Sequence, residues 1–307
     1  MAIRSSHMAV TTYSHPEYLV TADELEEMMT KDGVRILDVT ARLTGSLENA
    51  AEERCFSEGH IPGSVFFDVP SAKGALSDGE SNLPWMWPSP EHVTEQLQRV
   101  GVNNGDKVVL VASTPRPGID SGTMWCTRAW WTLHHMGVNV SILHGGIEGW
   151  VGSGRSLDTG SSNVERGNIT VAVKGLEARA TKEDVLAAIN GGSACLIDAL
   201  SADNFNGIDP GYGPRRGHIT GATNVPYLSL VDGETAAFWP ADVLEEKLAA
   251  IDRERPIISY CGGAIAATVV AFALTLTGQT GIRVYDGSLM EWSRDDSLPM
   301  TDPSANE

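Results

Sequence analysis

The chain contains few cysteines, no metal-type cysteine pair and no long apolar run. Cys55, Cys126, Cys195 and Cys261 lie far apart, which argues against a zinc knuckle or a disulfide framework and fits a reducing compartment. No stretch approaches the roughly 18 consecutive apolar residues of a membrane helix. The first ten residues also lack the apolar run of a signal peptide. We therefore expect a cytoplasmic protein that does not enter a membrane.

Basic residues are also scarce. The chain has 22 Lys and Arg against 40 Asp and Glu, a formal net charge of −18. Nucleic acids and anionic membrane surfaces would be repelled, so neither is expected as a partner. A small anion could bind, but only through local donors. The 307 residues, 42% of them hydrophobic, are enough for two globular domains with sizeable cores.

What the chain does contain is an internal repeat. The repeated segments are the strand-like runs that end at Asp38 and Asp198, Gly59–Gly63 and Gly217–Gly221, Lys107–Val111 and Pro256–Tyr260, and Gly145–Trp150 and Asp286–Trp292. Four matches in the same order imply two copies of one unit. We predict a first domain at 19–150 and a second at 176–300, joined by a Gly- and Ser-rich linker at 151–175.

Each unit alternates apolar strands with amphipathic helices. Thr21 and Thr181 are typical helix caps, and Thr181 with Asp184 matches a capping box. This alternation predicts an α/β fold in which each unit has a mainly parallel sheet flanked by helices. Ligands of such folds gather beyond the carboxyl ends of the strands, and Cys261 follows one of these ends.

The loop after the strand at 257–260 reads Cys261, Gly262, Gly263, Ala264, Ile265, Ala266, Ala267. Two glycines allow a tight curl in which several N–H groups converge, and the following helix adds its positive end. A thiol at this point should have a pKa below its ordinary value and act as a nucleophile. A buried cysteine that serves only as a small apolar residue is the alternative. The other three cysteines lack this setting and are interpreted as structural.

Together these motifs resemble the tandem rhodanese domains of the thiosulfate and 3-mercaptopyruvate sulfurtransferases. The resemblance covers about 19–299, and it depends on Gly59–Gly63, Phe66–Asp68, Gly145–Trp150 and the Cys261 loop. In that family the second domain usually carries the reactive cysteine. Here Ala112 aligns with Cys261, so the first unit is expected to be catalytically empty and to form a wall of the site.

The resemblance implies that Cys261 takes the outer sulfur of a small anionic donor as a persulfide and passes it to an acceptor. Loop N–H groups would stabilise the thiolate and the persulfide. The acceptor would be cyanide or a thiol, such as thioredoxin or a low-molecular-weight thiol. No metal or organic cofactor is implied.

The loop departs from both known subfamilies. Thiosulfate-type members carry basic residues after the cysteine, whereas this loop is neutral. Mercaptopyruvate-type members carry a hydroxyl where this chain has Gly263. The missing charge favours 3-mercaptopyruvate over thiosulfate as donor, and the missing hydroxyl leaves the proton donor open.

Four further residues are expected to bind substrate on the same resemblance. Arg215 and Arg216 are suited to hold a carboxylate by bidentate pairing, with a solvated surface pair as the alternative. Asn204 stands where the family has another substrate arginine. His60 resembles a histidine that reaches the substrate from the first domain. A structural turn histidine is the alternative for His60 and is the interpretation of His218.

Two other classes of function remain open at this point. A phosphatase with a related fold would need an arginine six positions after the cysteine, and position 267 is Ala. A non-catalytic or regulatory rhodanese-type binding module would explain the missing hydroxyl and arginine. The retained Cys261 and its glycine-rich loop argue against that module.

Overall fold

The computed structural model describes residues 13–117, 121–172 and 174–306. In the first unit a five-stranded sheet has the order β1-β5-β4-β2-β3, and all its pairings are parallel. Its elements are β1 (Leu19–Val20), α1 (Ala22–Met28), β2 (Val34–Asp38), β3 (Val65–Phe66), α2 (Pro90–Arg99), β4 (Lys107–Val111), α3 (Gly122–His135), β5 (Asn139–Leu143) and α4 (Gly146–Gly152).

The second unit repeats this topology. Its five-stranded parallel sheet has the order β6-β11-β10-β7-β9, so each strand takes the place of its counterpart in the first sheet. A short antiparallel pair, β8 with β12, lies beside it. The elements are β6 (Arg179–Ala180), α5 (Lys182–Gly191), β7 (Cys195–Asp198), α6 (Ala202–Phe205), β8 (His218–Ile219), β9 (Thr223–Asn224), α7 (Ala241–Lys247), β10 (Ile257–Tyr260), α8 (Ala266–Leu276), β11 (Ile282–Tyr285), α9 (Ser288–Trp292) and β12 (Met300–Thr301).

Local signals in the sequence determine where several of these elements begin. Thr21 and Thr181 each form a complete capping box, with Glu24 and Asp184 as the acidic partners, so the predicted box at Thr181 is confirmed. Asp38 accepts the backbone N–H of Thr40 after β2. Asp198 ends β7 in the same way and accepts an N–H two residues on.

The two units share one core. Helices α3 and α8, which follow the equivalent loops of the two units, pack against each other. At their contact the hydroxyls of Thr127 and Thr268 are 2.9 Å apart and buried. The segment between the units is bound along the first one: Ile169 is buried, and its N–H donates to the carbonyl of Val102. The units therefore meet across a packed interface.

In the part of the chain that the structure describes, no helix is long and apolar enough to cross a membrane. The first ten residues, on which the prediction about a signal peptide depends, lie outside the described residues.

Candidate active site

Cys261 lies at the carboxyl end of β10, where the chain turns into α8. Its side chain is buried, and backbone N–H groups of Ala267, Gly263 and Ile265 point at its sulfur. A sulfur atom that faces several N–H groups at a helix start is placed to carry negative charge. The predicted convergence of loop donors on one point is therefore present.

The predicted lowering of the Cys261 pKa is wrong for this closed loop. Burial raises the pKa of the thiol above its ordinary value, and the N–H groups of Ala267, Gly263 and Ile265 offset this only in part. The sequence analysis counted the donors but not the complete removal of water from the sulfur, which disfavours the thiolate. Burial of the sulfur therefore favours the protonated thiol over the thiolate in this loop.

Helix α9 and the turn before it are hydrogen-bonded to the Cys261 loop. The Ser288 hydroxyl accepts the N–H groups of Cys261 and Ala264 at 3.2 and 3.1 Å and donates to the carbonyl of Tyr285. The N–H groups of Leu289 and Met290 donate to the carbonyls of Cys261 and Gly262. The loop thus has its own polar groups paired before any substrate arrives.

The first unit builds the same arrangement without a thiol. The Ile147 N–H donates to the carbonyl of Ala112 at 3.0 Å, as the Leu289 N–H does to that of Cys261. Ala112 therefore stands where Cys261 stands in the second unit, and Gly146 takes the place of Ser288.

Aromatic side chains from both units cover the loop. A Cβ on Gly263 would lie 3.1 Å from the Trp85 ring and 3.3 Å from the sulfur of Met290. The ring of Tyr212 lies so close to Gly262 that no side chain would fit there. Neither glycine has a positive φ, whereas Ala264 does, at 61°. The glycines are needed here for close approach, and the left-handed position of the loop carries Ala264.

A model of the rhodanese-like domain matches residues 21–153 and again residues 181–295. The chain belongs to the rhodanese family. The 3-mercaptopyruvate sulfurtransferase of Escherichia coli strain K12 is 36% identical over 289 residues, 92% of this chain and 97% of that protein. A putative thiosulfate sulfurtransferase of Mycobacterium tuberculosis, SseB, is 32% identical over 292 residues, 92% of this chain and 96% of that protein. The crystal structure of Escherichia coli SseA, described as a 3-mercaptopyruvate sulfotransferase, matches with a TM-score of 0.77 and 33% identity over 88% of this chain and 98% of that one.

These findings confirm the resemblance drawn from the motifs, and with it a fold of two rhodanese domains. The protein is an enzyme of the sulfurtransferase class. Neither the phosphatase nor the non-catalytic module agrees with these relatives, which are named as sulfurtransferases.

Contrary to what the sequence suggests, the Arg215 guanidinium is not free to donate to a substrate carboxylate, because it is paired within the second rhodanese domain. Its guanidinium donates to the carbonyls of Ser293, Leu298, Trp292 and Asp295. Four of its five N–H groups are thereby paired with the main chain at the end of α9 and in the segment that follows it. The sequence could not show this, because the paired carbonyls come from a segment about 80 residues away.

Arg216 remains available. It is exposed, and in the described part of the chain its guanidinium makes one long hydrogen bond, of 3.5 Å, to the carbonyl of Ile208. The same segment carries Tyr212, whose ring covers Gly262, so Arg216 lies on the part of the chain that borders the loop. Asn204, which is half-buried, donates to Asp209 at the base of this segment.

His60 has a structural environment in the first rhodanese domain. It is buried, its ring stacks on Phe56 at 3.9 Å, and its Nδ1 bonds the carbonyl of the same residue. His218 repeats this arrangement with Phe205, with a ring distance of 3.6 Å. The two histidines are thus one turn motif in two copies, and the expectation that His60 contacts substrate is not supported by its geometry.

The other cysteines lie away from this loop. Cys126 is buried within α3 and Cys195 within β7, and Cys55 is half-buried. Burial raises the pKa of Cys126 well above its ordinary value. All four cysteines are free.

Sequence reasoning missed the residues that lie far from Cys261 in the sequence but against its loop in the structure. Trp85, Tyr212 and Ser288 are the clearest cases. For Ser288 a signal existed, because it departs from the Gly146 of the first repeat. Trp85 and Tyr212 stand in irregular segments without a repeat counterpart, so no spacing pointed to them.

Proposed function

We propose that the protein transfers the sulfur of 3-mercaptopyruvate to a thiol acceptor through a persulfide on Cys261. The observation that carries this proposal is the Cys261 sulfur itself, buried at a strand end and facing the N–H groups of Gly263, Ile265 and Ala267. Those donors suit an anion that loses its water, which both the thiolate and the persulfide do.

The chemistry consists of two displacements at sulfur. Cys261 first gives its thiol proton to the thiolate form of the substrate. The Cys261 thiolate then attacks the substrate sulfur, an S–S bond forms, and the carbon–sulfur bond breaks with its electron pair left on carbon. The resulting pyruvate enolate takes up a proton, for which the substrate's own thiol is a sufficient source. An acceptor thiolate then attacks the outer sulfur, leaves as a persulfide and returns Cys261 to its thiolate form.

The neutral loop supports this choice of donor. Residues 262–267 carry no charged side chain, and aromatic rings cover the glycines. Thiosulfate would have to lose the hydration of two charges here, which is costly without paired cations. In 3-mercaptopyruvate the charge lies at the far end from the sulfur, where we propose that Arg216, on the segment that carries Tyr212, binds it. Cyanide is a second nucleophile that we propose as an acceptor of the sulfur on Cys261.

We also propose the division of labour between the domains. The catalytic domain spans 176–300, the domain without a catalytic cysteine spans 19–150, and 151–175 connects them. The four free cysteines fit a reducing compartment, so we place the protein in the cytoplasm with thioredoxin or a small thiol as acceptor.

Intact mass measured after incubation with 3-mercaptopyruvate or thiosulfate tests the proposal. We expect 3-mercaptopyruvate to add the mass of one sulfur atom, and a thiol reductant to remove it. Cys261→Ser should abolish both the mass gain and turnover, whereas the matched Cys126→Ser should retain them. Turnover by Cys261→Ser would refute the mechanism. Faster loading by thiosulfate would refute only the donor assignment.

A further inference from the structure

A buried arginine of the first domain reaches the Cys261 loop. Arg128, on α3, is 1% exposed. Its guanidinium donates to the carbonyl of Ala264 at 3.5 Å, to the carbonyl of Trp85, and to Asp286 Oδ1 at 3.3 Å. One side chain of the domain without a catalytic cysteine therefore contacts the loop, the aromatic wall above it and the second domain's carboxylate.

The two carbonyls that Arg128 binds belong to residues with the same unusual backbone. Trp85 has a φ of 58° and Ala264 a φ of 61°, the left-handed region that side-chain-bearing residues rarely adopt. Such conformations persist only where the surroundings fix them. Both residues border Gly263, one as its wall and one as its neighbour in the chain. The guanidinium thus contacts two of the segments beside Cys261 that have a positive φ; the third, at Ser288, contacts the loop through its own hydroxyl.

Asp286 fixes the guanidinium in turn. It is 3% exposed, and its Oδ2 accepts the N–H of Trp87 at 2.8 Å. Arg179 approaches the same oxygen at 3.3 Å, but from a side chain that is 38% exposed. Arg128 and Arg179 therefore share one carboxylate, whereas the hydrogen bonds to the carbonyls of Ala264 and Trp85 come from Arg128. This difference supplies a matched control.

We propose that Arg128 is a positioning residue for sulfur transfer, which holds Ala264 and Trp85 in their left-handed conformations and so keeps the loop donors aimed at Cys261. The proposal builds on the proposed function and adds a task for the first domain. Arg128 touches neither the sulfur nor the donor. It acts through the two carbonyls, which a planar guanidinium can bind simultaneously and a lysine ammonium cannot match in geometry.

Arg128→Lys tests this assignment, with Arg179→Met as control. We expect Arg128→Lys to lower kcat with 3-mercaptopyruvate about 100-fold, since small displacements in a preorganised site have effects of this size, and to leave KM within about twofold. Alkylation of Cys261 by iodoacetamide, followed by mass against pH, should shift to higher pH because the donors lose their aim. Arg179→Met should match the wild type in both measurements.

Alkylation does not depend on which sulfur donor is correct, so it separates failure of this proposal from failure of the proposed function. Adding Ala264→Gly supplies the decisive comparison, because glycine adopts a positive φ at little cost. We expect Arg128→Lys with Ala264→Gly to regain at least tenfold in kcat over Arg128→Lys. A wild-type profile for Arg128→Lys, or no regain in the double variant, would overturn the proposal. If Arg128→Lys does not fold, Ala264→Gly must restore folding, and an unfolded double variant would also overturn it.

Discussion

At the scale of single residues, the reactivity of Cys261 depends on water exclusion as much as on hydrogen-bond donors. Burial raises the pKa of the thiol, and the nearby thiolate charge in turn contributes to the raised pKa values of Tyr212, about 12, and Tyr227, in which burial is the larger cause. Both tyrosines remain protonated at neutral pH, whereas the carboxyl charge of Asp198 adds to the raised pKa of the Cys261 thiol. Entry of a substrate that brings its own hydrogen-bonding groups changes this balance.

This leads to a prediction for pH. The nucleophile is the deprotonated form, so a raised pKa moves the rising limb of reactivity to higher pH. We expect iodoacetamide alkylation of the free enzyme at Cys261 to reach half its maximal rate above about pH 8.5, the ordinary thiol value. A profile measured by intact mass between pH 6 and pH 10.5 checks this. A midpoint below about pH 8 would mean that the loop donors outweigh burial.

The position of the missing hydroxyl can be tested because Gly263 has no positive φ. Gly263→Ser should fold if the Trp85 ring, 3.1 Å from the new Cβ, and the flexible Met290 side chain, 3.3 Å from it, each give way by a few tenths of an ångström. Gly263→Ala makes the same Cβ contacts without the hydroxyl. We expect a higher kcat for Gly263→Ser than for Gly263→Ala, because the hydroxyl can protonate the departing enolate. Equal kcat values would show that the proton comes from elsewhere.

Substitution of the two adjacent arginines should have different effects, on KM for Arg216 and on stability for Arg215. Arg216→Ala should raise KM for 3-mercaptopyruvate about tenfold with little change in kcat, because it removes a charged hydrogen bond made equally in ground and transition states. Arg215→Ala should instead lower the melting temperature, since four carbonyls lose their donor. Steady-state kinetics and thermal melts of both variants decide this. An unchanged KM for Arg216→Ala would remove Arg216 from the substrate site.

Sequence signals at single positions predict Cys261 and its loop as the site because strand, glycines and helix are contiguous in the chain. The same reasoning proposed Arg215 and His60 as substrate contacts, whereas the structure pairs both side chains with groups of the protein. Arg215 binds carbonyls far along the chain, and the stacked ring of Phe56 becomes visible only in three dimensions. A residue type indicates what a side chain can bind, whereas the fold decides what it does bind.

At the scale of elements, the turn into α9 supports the loop more directly than α8 does. The Ser288 hydroxyl accepts hydrogen bonds from the N–H groups of Cys261 and Ala264, and both of these residues are buried. We expect Ser288→Ala to destabilise the protein by about 1–3 kcal/mol and to lower kcat, because two buried donors lose their acceptor. Denaturant unfolding and kinetics measure both effects.

Ser293→Ala is the matched control for this element. Ser293 is also buried, one residue after α9, but its hydroxyl has no hydrogen-bond partner in the described structure. We expect its removal to leave kcat unchanged and to cost less than 0.5 kcal/mol of stability. Equal losses of kcat for the two serines would mean that Ser288 acts through general packing and not through the loop.

Most of the element order could be predicted from the chain, because periodicity and capping residues are local signals. The repeat went further, since two copies of one pattern imply two copies of one sheet. It could not indicate the contact between α3 and α8, because both helices are apolar on several sides and periodicity alone does not choose a partner. The Arg128 contacts depend on that packing and were therefore out of reach as well.

At the scale of the whole molecule, the first domain contributes side chains to the candidate active site of the second. Trp85 and Arg128 both come from the first domain and contact the loop of the second. One continuous core passes from one domain into the other through α3 and α8. The two domains should accordingly unfold together, in a single thermal transition.

A double-mutant cycle at the centre of this interface tests how strongly the domains are coupled. Either hydroxyl of the Thr127–Thr268 pair can donate to the other, and each also lies within hydrogen-bonding distance of a nearby carbonyl, that of Met124 for Thr127 and that of Ile265 for Thr268. Each single change, Thr127→Val or Thr268→Val, should cost about 1 kcal/mol, because the remaining hydroxyl loses its partner across the interface. Together they should cost at least 0.5 kcal/mol less than the sum of the two. The control cycle pairs Thr127→Val with Thr275→Val, whose hydroxyl bonds only within α8 at the carbonyl of Ala271, and should be additive. Additive losses in the first cycle as well would show that the hydroxyl pair does not couple the domains.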